Sequence, residues 1–238
     1  MLDMIGAIAG TAIYAVLVGV LVGPSRESVP TKLVACAAAA AWGVMIVAIA
    51  ALGGFGPGAA GPVPAPVFPF AACLALLFGS WFFIPRFRDA LLALPLSALV
   101  ALNAGRVGGV LFLLLAAEGR LSAPFAPSAG GGDIITGLLA IPLAILAWRG
   151  ADRLATPLAL WNAFGILDLI VAISLGLLSA PGTPFRIFTA EPGTLAMTTL
   201  PWILVPSILV PIYLLVHLTI AMKLRASPRL STAAAVAG

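Results

Sequence analysis

The stretch of sequence that decides the fold is WNAFGILDLIVAISLGLLS, residues 161–179. It is apolar along most of its length, with one carboxylate, Asp168, near its middle. About 20 apolar residues are needed to cross the hydrocarbon core of a bilayer, so this stretch is predicted to span a membrane. A second apolar run carries Arg106 near its middle. Because an isolated charge inside lipid is costly, the two are predicted to pair.

The composition is that of an integral membrane protein. Of the 238 residues, 62% are hydrophobic and 8% are charged, and the mean hydropathy is +1.19. A soluble domain carries roughly 25% charged residues. The chain is therefore predicted to form a single transmembrane domain, residues 1–238, in the cell inner membrane, with the lipid bilayer as a partner. The net charge of +4 does not indicate nucleic-acid binding, because the 12 basic residues are spread over loops rather than clustered.

The apolar runs predict an all-α bundle of seven transmembrane helices. Glycine- and proline-bearing or basic segments, which are typical of loops, separate the runs. The predicted helices cover residues 4–22, 33–52, 67–84, 90–117, 133–148, 158–180 and 198–222. The fourth is long enough to require tilt or a kink at Pro95. Pro201, Pro206 and Pro211 predict an irregular or kinked seventh helix.

The basic residues orient the predicted bundle. With seven spans, one side of the membrane receives nine basic residues and the other side receives Arg120 and Arg186. The nine are Arg26, Lys32, Arg86, Arg88, Arg149, Arg153, Lys223, Arg225 and Arg229. Loops rich in Lys and Arg face the cytoplasm, so the N-terminus is predicted to lie outside and the C-terminus in the cytoplasm.

Arg106 and Asp168 are predicted to lie at similar depth. Arg106 is 11 residues from Ala117 and Asp168 is 12 from Ala180 at the outer ends of their helices. An unpaired charge at this depth costs about 2.5–3.5 kcal/mol on insertion scales. Asn103, about one helical turn from Arg106, is expected to supply a further hydrogen bond. The pair is interpreted either as a link between two helices or as part of a ligand-binding pocket.

The predicted sixth helix has a face of small residues around its carboxylate. At about 100° per residue, one sector of the helix collects six of its side chains. These are Trp161, Gly165, Asp168, Ala172, Gly176 and Ser179. The face is predicted to pack closely or to line a cavity. Asn162 lies slightly aside from it, toward the inner end, and is a further candidate for ligand binding.

His217 and Asp133 each have two open interpretations. His217, the only histidine, is either a polar anchor bonded to a neighbouring helix or a group that titrates or binds a metal. Its depth matches that of Asn162. No metal site is predicted, because a metal needs further ligands. Asp133 follows three glycines and is predicted to be the N-cap of the fifth helix; with Glu118 it would instead form an acidic outer mouth.

Three segments carry a resemblance to a known family. They are RVGGVLFLLLAAEGRLSAPFAPSAGGGDIITGLLAIPLA, WNAFGILDL and the proline-rich last helix with His217. They resemble a family of bacterial multi-pass membrane proteins of unknown function, over about residues 100–222. The resemblance implies no activity. It implies only that these polar positions form part of a recurring pattern.

Three functions are compatible with these features. The preferred one is the binding or transport of a small anionic or amphiphilic molecule by a polar pocket near the middle of the membrane. Its candidate residues are Arg106, Asp168, Asn103, Asn162, His217 and Asp133. A second is an intramembrane enzyme acting on a lipid or isoprenoid, with acid–base candidates but no nucleophile–base motif. A third is an accessory subunit of an oligomer or larger membrane complex that packs on partners or on a pigment. In that case His217 would be an axial ligand of a porphyrin-type metal, although no cofactor is predicted.

Overall fold

The described part of the chain is helical, and several of its helices are long enough to cross a membrane. The computed structural model describes residues 1–25, 27–150 and 154–226. Its α-helices are α1 (Leu2–Val22), α2 (Val29–Ala51), α3 (Val67–Phe83), α4 (Pro85–Ala93), α5 (Leu96–Leu102), α6 (Val110–Ala117), α7 (Phe125–Trp148), α8 (Ala155–Leu178) and α9 (Val210–Arg225). A 3-10 helix, Asn103–Gly109, joins α5 to α6, and a shorter one, Leu195–Thr198, precedes a π-helical turn, Val205–Leu209, before α9.

Within the described residues, six helical segments are long and apolar enough to span a membrane, and a seventh is counted if α3 and α4 form one bent span. The bend between α3 and α4 is 93°. The predicted all-α class is confirmed for the described residues, and the length and apolar composition of these helices agree with a membrane location. Three of the nine basic residues assigned to one side, Arg26, Arg153 and Arg229, lie outside them.

Prolines mark the helix boundaries around the predicted third and fourth helices: α3 ends just before Pro85, and the fourth is interrupted at Pro95. The predicted run 90–117 is not one helix, because α4 ends at Ala93 and Leu94 is extended before Pro95. Pro95 lacks the N–H that would continue the helical ladder, so the expected kink is a complete break. Pro85 starts α4 at its first position, where a missing N–H costs nothing.

The last span is irregular, as its prolines predicted. In an α-helix the carbonyl of Ser207 would accept a hydrogen bond from the N–H of residue 211. That residue is Pro211, which has no N–H. The indole Nε1 of Trp42, on α2, donates to the Ser207 carbonyl instead, at 3.2 Å. A side chain on another helix therefore satisfies a carbonyl that proline leaves free, as a proline inside a membrane requires.

The helices differ in how deeply they are buried. Only 11% of the 18-residue apolar stretch of α1 and 6% of that of α2 are buried, whereas 61% of the corresponding stretch of Val205–Arg225 is buried. Helix α7 packs against the 3-10 helix, α5, α6 and α8, and α8 packs against α9. These central elements surround the polar residues described next, and α1 and α2 lie at the periphery.

One end of the bundle is formed by the N-terminus and three connections. At this end, called here the N-terminal face, Asp3 Oδ1 accepts hydrogen bonds from Arg120 at 2.8 Å and from Trp202 at 2.7 Å. The connections are residues 52–66, 118–124 and 179–194. Ser122 bonds across two of them to the backbone N–H of Gly193 at 3.0 Å.

Candidate functional site

Arg106 lies at the centre of the bundle and is 3% exposed. It is carried by the 3-10 helix Asn103–Gly109, NAGRVGG. Three of the seven residues are glycines, which have low helix propensity and allow close backbone approach. A Cβ at Gly109 would lie 2.5 Å from the Cβ of Asp133 on α7. The local sequence therefore brings the arginine-bearing segment against α7.

The guanidinium of Arg106 is almost fully engaged by protein groups. Nε donates to Asp133 Oδ1 at 2.7 Å, and Nη2 donates to Asp168 Oδ2. Nη1 donates to the carbonyl of Gly165 at 3.2 Å and lies 3.0 Å from His217 Nε2. Four of the five guanidinium N–H donors are thus used. The predicted ion pair between Arg106 and Asp168 is confirmed.

Asp133 is not a helix N-cap, and that prediction is wrong. Helix α7 begins at Phe125, eight residues earlier, and continues through the three glycines. A Cβ at Gly130 would lie 2.9 Å from the Gly109 carbonyl, so tertiary packing explains why glycine is inside the helix. Asp133 and Glu118 bind different arginines, because Glu118 lies 3.7 Å from Arg120 at the surface.

A glycine on α7 makes room for Asp168. A Cβ added at Gly132 would overlap Oδ1 of Asp168. Asp168 itself is 8% exposed. On the same face of α8, Trp161 and Gly165 are also buried, and Trp161 Nε1 donates to the Thr136 carbonyl of α7 at 3.0 Å. The predicted small-residue face therefore packs against α7 at this level.

His217 is held between Arg106 and Asn162 and is fully buried. Its Nδ1 lies 2.8 Å from Asn162 Oδ1, and Asn162 Nδ2 donates to the His217 carbonyl at 3.2 Å. Arginine can only donate hydrogen bonds, so Nε2 must be the acceptor and Nδ1 must carry the proton. The contacts therefore specify a neutral Nδ1–H imidazole. The interpretation of His217 as an anchor to a neighbouring helix agrees with this geometry.

Asn103 and Tyr213 depart from expectation. Asn103 Nδ2 donates to the Leu99 carbonyl at 3.2 Å, so the hydrogen bond expected with Arg106 is not formed. Tyr213 was not among the predicted residues, although it is one helical turn before His217. Its ring lies 5.8 Å from Arg106 Cζ, within the range of a cation–π contact. Its buried hydroxyl has no hydrogen-bond partner among the described residues.

The charges of the cluster do not balance. Arg106 contributes one positive charge, and Asp133 and Asp168 contribute two negative charges when ionised. With a neutral His217, the formal sum is −1. Asp133 Oδ2 accepts no hydrogen bond from the described residues, and its side chain is 19% exposed although it lies within a span. Asp133 is the member of the cluster that borders both of the cavities described next.

Two neighbouring cavities meet at Asp133. The larger, about 250 Å³, extends toward the N-terminal face and is almost entirely apolar. The smaller, about 70 Å³, is lined in part by Arg106, Asp133 and Tyr213. Five residues line both cavities: Phe112, Asp133, Leu169, Val205 and Val210. Val205 is the first residue of the π-helical turn, so that turn forms part of the boundary.

The described residues contain no group of three or more His, Cys, Asp or Glu side chains placed to hold a metal ion. Both ring nitrogens of His217 are engaged, one by Arg106 and one by Asn162. A porphyrin iron at Nε2 would have to displace Arg106 from its position. The geometry therefore gives no support to a pigment ligand at this histidine.

Residues 64–225 match a family described as a domain of unknown function, DUF8737. The chain belongs to this family. The DUF8737 region contains every residue of the buried cluster. It also contains the residues that line the two cavities, apart from those of α1 and of the loop before α3. No match was found among curated proteins or among solved structures.

Proposed function

We propose that this protein is a multi-pass protein of the cell inner membrane that binds and transports a small amphiphilic molecule. The molecule's apolar part would occupy the larger cavity and its polar end would contact Asp133. The observation that carries the proposal is the position of Asp133, which presents a free carboxylate oxygen where an apolar cavity of about 250 Å³ meets the buried charge cluster. Apolar pockets with a few convergent polar groups are typical ligand sites.

The geometry favours an amphiphilic ligand over a purely anionic one. An anion would need the guanidinium of Arg106, and four of its five donors are already used. The cluster also carries a formal excess of negative charge, which would repel an anion. Of the two ligand classes expected from the sequence, anionic and amphiphilic, we therefore retain the amphiphilic one.

The broken last span supports movement of a ligand past the site. Residues 199–203 are not helical and shortly precede the π-helical turn, which lines both cavities. Discontinuous helices are a feature of many transporters, and π-helical turns often occur at functional sites.

The proposed orientation is seven spans with the N-terminus outside, which places the larger cavity toward the outer side. Its support is the distribution of basic residues, nine on one side and two on the other. Cysteines replacing Thr183 and Ala226, in a chain whose Cys36 and Cys73 are changed to Ser, would report it. An impermeant maleimide should label the first in intact cells and the second only after permeabilisation; the reverse pattern would overturn the orientation.

The ligand proposal is tested by filling the larger cavity. Ala172 on α8 lines it, whereas Ala163 on the same helix is exposed at the surface of the bundle. The unaltered protein, purified in mild detergent, is expected to retain a small molecule in native mass spectrometry. Ala172→Leu should lose it and Ala163→Leu should keep it. Equal retention by both variants, or no retained molecule and no binding of added amphiphiles by the unaltered protein, would reject the proposal.

A further inference from the structure

The smaller cavity has the size of a head-group site. Its volume of about 70 Å³ exceeds the roughly 10–15 Å³ that a cavity needs to hold one water molecule. It therefore has room for a few small atoms and not for the body of a ligand. Because it shares Asp133 and four apolar lining residues with the larger cavity, one molecule can extend from one cavity into the other.

Two polar atoms at this cavity have no partner among the described residues. One is Asp133 Oδ2, which accepts no hydrogen bond. The other is the hydroxyl of Tyr213, a residue that is 4% exposed. A buried polar group without a partner costs free energy until it is satisfied. Both oxygens can accept a hydrogen bond, so the complementary ligand group is one that donates at least two.

The charge of the cluster narrows the choice further. Arg106 opposes two carboxylates, and His217 accepts from Arg106 and adds no charge. Helices α5 and α6, which also pack on α7, carry no ionisable residue. A monocation would neutralise the formal excess, whereas an anion would double it. Among monocations, a primary ammonium has three N–H donors and a quaternary ammonium has none.

We infer that the smaller cavity binds the protonated primary amine of an amphiphile, with Asp133 Oδ2 and the Tyr213 hydroxyl accepting its hydrogen bonds. The apolar chain of the same molecule lies in the larger cavity. This inference rests on the proposed function and adds the chemical class of the ligand. Transport of such a molecule would carry a positive charge through the site, and the cluster provides the compensating negative charge.

The experiment compares probes that share a chain and differ in head group. Octylamine, octanol, octanoate and octyltrimethylammonium are titrated into the full chain in nanodiscs of zwitterionic lipid, with binding read by native mass spectrometry and by the thermal shift. The unaltered protein should bind octylamine about tenfold or more tightly than octanol, because hydrogen bonds between charged groups are stronger than hydrogen bonds between neutral ones. Octylamine should also exceed octyltrimethylammonium, since only the former donates hydrogen bonds.

Variants separate the head group from the cavity. Asp133→Asn should remove the preference for octylamine over octanol, and Tyr213→Phe should reduce it several-fold while leaving octanol binding unchanged. Asp89→Asn, at a carboxylate whose side chain is 68% exposed, should leave the preference intact. If Asp133→Asn fails to fold, the Tyr213→Phe result decides.

The outcomes are distinguishable. One outcome is octanol binding that Ala172→Leu abolishes, with no preference for octylamine or with a preference for octanoate or octyltrimethylammonium. This outcome would overturn the head-group inference but still support the larger cavity as the binding site. Failure of all four probes to bind would overturn both. A preference for octylamine that persists in Tyr213→Phe and Asp133→Asn would show that these two residues do not form the site.

Discussion

Arg106 Nε and Asp133 Oδ1 lie 2.7 Å apart, although the two residues are 27 positions apart and belong to different helical segments. This contact adds a second carboxylate to the ion pair between Arg106 and Asp168. The result is a buried set of one arginine and two aspartates rather than a balanced pair. The free energy of unfolding of the protein should therefore fall by different amounts when the positive charge or one of the negative charges is removed.

Arg106→Gln should destabilise the protein much more than Asp168→Asn. Removing the arginine leaves two buried carboxylates without compensation, and breaking a buried pair in this way costs on the order of 3–5 kcal/mol. Asparagine at 168 removes the excess negative charge and can still accept a hydrogen bond, so its cost should be about 1 kcal/mol or less. Thermal or denaturant unfolding in detergent measures both.

Combined variants provide the control for this asymmetry. Arg106→Gln with Asp168→Asn leaves Asp133 as the one charged member and should recover part of the lost stability. Adding Asp133→Asn should recover most of it, because residues of one network are strongly coupled. An Asp168→Asn variant as unstable as Arg106→Gln would contradict the charge count.

Gly132→Ala should destabilise the protein and displace Asp168 from Arg106. The added Cβ would occupy the position of Asp168 Oδ1, so either α7 and α8 separate or the ion pair breaks, at a cost of about 2 kcal/mol or more. Gly131→Ala is the matched control, because nothing lies within 4 Å of its Cβ position. It should gain up to about 1 kcal/mol of helix stability. Similar unfolding midpoints for the two variants would refute this packing.

Trp42→Phe should weaken the junction between α2 and the π-helical turn. The Ser207 carbonyl would lose the indole donor that replaces the missing N–H of Pro211, at a cost of about 1–2 kcal/mol. Trp148→Phe serves as the control, since Trp148 is 77% exposed. Hydrogen exchange of the amides flanking residues 205–209 should rise in the first variant and stay unchanged in the second. Unchanged exchange in both would mean that the indole bond does not stabilise the turn.

The meeting of Arg106 and Asp168 at one level of the bundle was predictable from the sequence, and direction around the helices was not. Counting from helix ends placed Arg106 and Asp168 at one level, and the cost of isolated charges in lipid predicted their pairing. The same count cannot say which other helix faces them. Asp133 was assigned to a loop boundary because three glycines precede it, and glycine has low helix propensity.

The glycines of α7 show why local preference failed at that point. Glycine stands at positions 130 and 132 inside α7 because Gly109 and Asp168 leave no room for a side chain there. Tertiary packing therefore overrides a local signal that would ordinarily end a helix. Tyr213 could have been found from its position four residues before His217, which places both on one face of α9.

The single histidine allows a direct test of the hydrogen-bond chain from Arg106 through His217 to Asn162. Because Arg106 can only donate to Nε2, the imidazole should be neutral with its proton on Nδ1. In protein carrying ¹⁵N-labelled histidine, one set of ring signals is expected, with a directly bonded proton at Nδ1 and none at Nε2. Arg106→Gln removes the obligatory donor and should permit the other tautomer, whereas Arg120→Gln, at the N-terminal face, should leave the spectrum unchanged. A proton at Nε2 in the unaltered protein would mean that Arg106 does not donate to His217, and the position assigned to the guanidinium would then be wrong.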